Sequence, residues 1–175
     1  MVSPRSHSTG GSPVPSYRQR LQQLELAWTT LSSADARRRA IWADNLGDLL
    51  GWACLEQAEA ERVAGRLVQL ALTAGDHAVG ESALHAVAEA GVRYKLPYAV
   101  VEPLADNIGA FDPMLLEYVL FSLSATHDER ARAPIEPFLT HPVADVRREA
   151  AIAIAELDSI SAARSGATPS GSFGD

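Results

Sequence analysis

Cysteine is nearly missing from this 175-residue chain: Cys54 stands alone. One thiol cannot form an intramolecular disulfide or a thiolate metal cluster. Long apolar runs are missing too; none approaches the roughly 18–20 residues needed to cross a bilayer. The opening "MVSPRSHSTGGSPVPS" has no apolar core of the kind a secretory signal needs. These absences set the expectation of a cytoplasmic protein. Aromatics are scarce at 6 %, so any core gains area from many small contacts. Excess positive charge is also lacking. A net charge of -7 argues against non-specific nucleic-acid binding, which needs cations facing phosphates. Lysine occurs once among 15 basic side chains, a bias that suggests the codons of a high-GC bacterial genome rather than a function.

The charge that is present is uneven. Residues 1–50 carry a net +2, residues 51–110 a net -4 and residues 111–175 a net -5. The apolar body is therefore acidic, which suits a neutral or basic partner. Residues 1–16 are rich in Ser, Gly and Pro and have too little apolar area to pack, and residues 159–175 drift the same way. The expected organisation is a disordered leader (1–16), a helical domain (17–158) and a disordered tail (159–175).

Within the domain the apolar spacing is helical throughout. A first helix is expected from Ser16 or Tyr17 to Leu31, with Leu21, Leu24 and Trp28 on one face. A second starts with Ser33 as N-cap and aligns Ala36, Ala40, Ala43, Leu46 and Leu50. A third turns Val63, Leu67 and Leu70 inward. A fourth runs from a capping Asp76 to Gly91, read as a C′ residue. Pro97 opens a short helix reaching Ile108; Asp112 and Pro113 fit the N-cap and N1 positions of the next. A short helix over about 128–139 precedes the last one, "HPVADVRREAAIAIAEL" (141–157). No segment alternates with period two between turn signals. The fold class is all-α, with about eight antiparallel helices.

The helices also repeat. Laying 77–90 on 144–157 pairs Val79 with Val146, Ala83 with Ala150, Ala86 with Ala153, Ala88 with Ala155 and Glu89 with Glu156. Laying 112–125 on 143–156 pairs Leu115 with Val146, Val119 with Ala150 and Leu123 with Ile154. Matching positions share one phase, the pattern of stacked helix pairs. In that frame 131–157 resembles a HEAT repeat: Pro142 after the turn, then Asp145, Val146, Arg147, Ala150, Ala153, Ile154 and Leu157. Gly80 stands opposite Arg147 in one copy, and Met114 and Leu116 replace Asp145 and Arg147 in the other. The resemblance implies a short HEAT-like α-solenoid with a polar Asp–Arg ladder and a concave face lined by the second helices.

No catalytic constellation is evident. His77, Glu81 and His85 form a stripe, but its end residues lie about 12 Å apart along a helix, too far for one ion. They read as a solvated face, and no metal or cofactor is expected. Cys54 sits among apolar residues without a cationic activator and reads as structural. "ARRRA" (36–40) is either an anion patch or one exposed helix turn. Aligning the repeats places residues in rows across the expected concave face: His85, Phe121 and Ile152 in one, Glu81, Glu117 and Arg148 in the next. Phe121 and Ile152 fall outside the positions the repeat buries, and apolar side chains flanked by charge suit a protein-binding groove. These six are the expected partner-binding residues.

Three functional readings follow. One is a non-catalytic binding module, a small HEAT-like adaptor or an immunity-type protein, whose partner is another protein with a basic surface. A second is an enzyme on the same scaffold, since HEAT-like folds include DNA glycosylases and bilin lyase-type proteins. The third is a structural subunit in which the apolar row forms a homodimer seam.

Overall fold

A computed structural model describes residues 19, 22, 24–26, 29, 30 and 32–166. The expected leader, most of the expected first helix (Leu21 and Trp28 included) and residues 167–175 lie outside this set. Among the described residues every regular element is helical: α1 (Ala36–Gly51), α2 (Gln57–Thr73), α3 (His77–Arg93), α4 (Tyr98–Asp106), α5 (Pro113–Ser124), α6 (Arg132–Ile135) and α7 (Ala144–Gly166). Short 3₁₀ turns cover Ile108–Ala110, Glu129–Ala131 and Glu136–Thr140. The protein is all-α.

Local chemistry explains most boundaries. The Asp76 carboxylate accepts from the Val79 N–H, and that of Asp112 accepts from the Met114 and Leu115 N–H groups. Each satisfies donors that the first helical turn would leave orphaned. At α1 the cap is Asp35 rather than Ser33. The Asp35 carboxylate takes the Arg38 N–H, while the Ser33 hydroxyl accepts from the Asp35 N–H one turn earlier. Pro134 and Pro137 break the expected 128–139 helix into its 3₁₀–α–3₁₀ sequence, because each removes a backbone donor.

The elements pack as two layers. In the front layer α1, α3, α5 and α7 lie side by side; behind them α2 covers α3, α4 covers α5, and α6 with the neighbouring 3₁₀ turn covers α7. Between the layers Leu46, Leu50, Leu67, Leu84, Leu104, Leu120, Leu123, Ile135 and Leu157 are sealed from solvent. Front-layer contacts are made by small residues. Ala43, Ala83, Ala86, Ala90, Ala150 and Ala153 are all buried. A Cβ on Gly47 would stand 3.2 Å from the Ala86 Cβ, and one on Gly91 would stand 3.1 Å from the Ala125 Cβ. Gly91 therefore does not end its helix, which continues to Arg93; it lets α3 approach α5.

Tyr94 and Arg132 tie the layers by polar contacts. Just past α3 the Tyr94 hydroxyl accepts the buried Leu55 N–H at 3.0 Å, holding the start of the back layer against the end of a front helix. Arg132 pairs with Glu129 and, at 2.6 Å, with Asp158. The Ser161 hydroxyl lies 3.2 Å from the second Glu129 oxygen. This cluster carries α7 on to Gly166, so residues 159–166 are helical rather than part of a disordered tail.

Gly47→Val should push α1 off α3 and cost about 1–3 kcal/mol in urea unfolding, the usual penalty of overpacking. Tyr94→Phe removes the only acceptor described for the buried Leu55 N–H, and should lower unfolding free energy by about 1–3 kcal/mol with an unchanged m-value.

Candidate protein-binding face

The outward side of the front layer is where side chains not used for packing accumulate. On α3, Glu81, His85 and Glu89 follow at helical spacing; on α5, Glu117 and Phe121; on α7, Arg148, Ile152 and Glu156. Helix register alone puts each set on one stripe, and the packing of α3 beside α5 beside α7 sets the stripes next to one another.

The contacts refine this picture. His77 reaches across to Asp112 (Nε2–Oδ2 2.9 Å), while its other nitrogen stands 4.0 Å from Glu81. His85 is exposed and meets Tyr118 edge to face with ring centroids 5.8 Å apart. Tyr118, a neighbour that the repeat alignment does not single out, thus joins α3 to α5 through His85. Phe121 lies one turn beyond it, half-buried, its ring edge 3.9 Å from where a Gly91 Cβ would be. Ile152 is 53 % exposed and stands free on α7. Among the described residues no three His, Cys, Asp or Glu side chains converge to hold a metal ion.

Electrostatics distinguish the face. Glu117 on α5 lies near Glu149 on α7; burial first, then the Glu117 charge, pushes the Glu149 carboxyl above the usual carboxylate range, and Arg148 only partly offsets this. Arg148 is paired with Asp145 in its own helix. Arg147 turns back to donate to the His141 and Pro142 carbonyls at 2.7 and 2.9 Å. The Asp145–Arg147 ladder that the HEAT resemblance implies is therefore replaced by contacts inside one turn and one helix. Further along, Asp44 and Asp48 of α1 are exposed, and Glu156 pairs with His127 at 3.2 Å. The basic "ARRRA" run splits up: Arg38 leans toward Asp35, and Arg39 donates to the Ala74 carbonyl at 3.2 Å, holding the end of α2.

The face thus presents carboxylates around a few rings and one free aliphatic side chain. It has the makings of a recognition surface: apolar anchors ringed mainly by carboxylates.

No family model matches the chain, and no curated protein matches it. Among solved structures, a crystal structure described as an engineered protein, a structural genomics consortium target, is similar with a TM-score of 0.57 at 19 % identity. The match covers 78 % of this chain and 62 % of that one, so this chain spans about three fifths of the other's length. At that identity the likeness concerns the fold alone.

Glu149→Gln should stabilise the protein at neutral pH by about 0.5 kcal/mol, because it removes a half-buried ionised carboxyl that also lies near Glu117. A carboxyl whose folded pKa is raised above its unfolded value opposes folding when ionised. That penalty is fully present above the folded pKa, is relieved as pH falls through it, and is gone below the unfolded one. The advantage of the variant should therefore be largest near pH 7 and vanish in acid, as thermal melts across pH would report.

Proposed function

We propose that the protein is a non-catalytic binding module that takes a basic partner protein on its front-layer face. One observation carries the reading: Asp44, Asp48, Glu81, Glu89, Glu117 and Glu149 accompany Tyr118, Phe121 and Ile152 on that layer, while Arg148 beside them is already paired with Asp145 within α7. Such a field speeds encounter with a cationic surface, and half-exposed rings supply the desolvated contacts that hold it.

The HEAT-like identity of the stack belongs to the same proposal. It rests on the shared phase of residues 77–90, 112–125 and 143–156, and on the two-layer packing in which those segments are neighbours. A narrower form is an immunity-type protein that occludes a basic toxin; the acidity of the face favours it. No helix of the described residues is long and apolar enough to cross a membrane, in keeping with a cytoplasmic role.

The test is a paired substitution, Phe121→Ala with Glu117→Arg. Immobilised wild-type chain should retain a basic protein from its source cells and release it as salt rises. The double variant should lose at least tenfold of that retention with its helicity unchanged by circular dichroism. Undiminished recovery would sink this face.

A further inference from the structure

Where α1 and α3 lie side by side, the front face opens into a cavity of about 390 Å³. Asp44, Asp48 and Trp52 line it from the α1 side, His85 and Glu89 from α3. Its size is that of a site for a small ligand or a single inserted side chain. Trp52 stands just past the end of α1, where the next residue, Ala53, turns the chain with φ 50°. The indole is left 45 % exposed. Trp52 and Asp48 also line a second cavity of about 130 Å³, shared with Trp42, so both side chains border open space in two places.

Three carboxylates, Asp44, Asp48 and Glu89, line the larger cavity with Trp52 and have little to neutralise them. Asp44 and Asp48 are four residues apart on one helix, a spacing that sets like charges against each other. Among the described residues neither has an ion-pair partner. Glu89 has only His85, at 3.9 Å, and that imidazole is a cation only when protonated. Gly51 makes room for Glu89: a Cβ there would meet its Oε2 at 3.1 Å. A side chain at position 51 would crowd the carboxylate that the cavity now accommodates.

We infer that this cavity receives an arginine side chain of the partner, its guanidinium held by Asp48 and Glu89 and stacked on Trp52. The inference rests on the protein-binding reading above and places an anchor at one end of the same face. The chemistry selects arginine over lysine. A guanidinium is planar, forks onto carboxylates, stacks on an indole and is weakly hydrated, whereas an ammonium is a strongly hydrated point charge with no plane to stack.

The test uses the full chain and the capped tripeptide acetyl-Gly-Arg-Gly-amide, with lysine and citrulline counterparts. Binding is read from the Trp52 indole N–H resonance, assigned by its loss in Trp52→Phe. The arginine peptide should shift it saturably at millimolar concentration, the lysine peptide should bind at least tenfold more weakly, and the neutral citrulline peptide should leave it in place. Asp48→Asn alters an exposed carboxylate and should weaken the arginine peptide at least tenfold, whereas Phe121→Ala with Glu117→Arg should not affect it. An unmoved resonance, an equal response to citrulline or lysine, or an indifferent Asp48→Asn overturns the assignment. The titration needs no partner protein, so the two readings fail separately. A silent titration with partner retention still lost in the Phe121→Ala, Glu117→Arg variant removes only the anchor. A positive titration beside unchanged retention in that variant removes the reading of the central face.

Discussion

Close approach of the front-layer helices is the constraint on which the rest depends. Gly47 rests on Ala86 and Gly91 on Ala125, both at distances where a further carbon would be tighter than ordinary van der Waals contact. Ala43, Ala83, Ala90, Ala150 and Ala153 continue the same economy of volume along the layer. Alanine gives high helix propensity with no side-chain entropy to lose, so a layer can be built close without weakening each helix. The glycines are weaker helix formers, and both sit where a Cβ would press on an alanine of the neighbouring element.

That constraint also shapes the surface. With helices so near, side chains one position outside the seam cannot bury fully; they spread over the front face at half exposure, as Tyr118 and Phe121 do. Carboxylates from adjacent helices are brought within reach of each other, and Glu149, raised first by its burial, is raised further by Glu117. The acidic field is thus a consequence of packing as much as of composition. A face that gathers carboxylates, its Arg148 already paired with Asp145, is matched to cations from outside.

Legibility in the sequence followed the range of the interaction. Caps at Asp76 and Asp112 could be read directly, because an acceptor and the N–H groups it serves lie within three residues. Gly91 could not: a helix-ending glycine and a glycine of close approach look alike until Ala125 is known to face it. The stretch after Asp158 looks like a tail by composition, and becomes helix through Arg132, Glu129 and Ser161, two of which are distant in the chain. The candidate face was half visible. Glu117, Phe121 and Ile152 stood out by register, yet the His85–Tyr118 contact and the position of Trp52 beside Glu89 depend on how two helices cross.

By itself the sequence determined the all-α class, the phase of the repeated helices and the acidity of the body, since these follow from periodicity, capping and charge along one chain. Only the tertiary structure decided which helices share a layer, that Arg147 closes its own turn, and that Asp48, Trp52 and Glu89 line one cavity. Distances between side chains far apart in sequence come from packing, and packing is set by all the contacts of the core together.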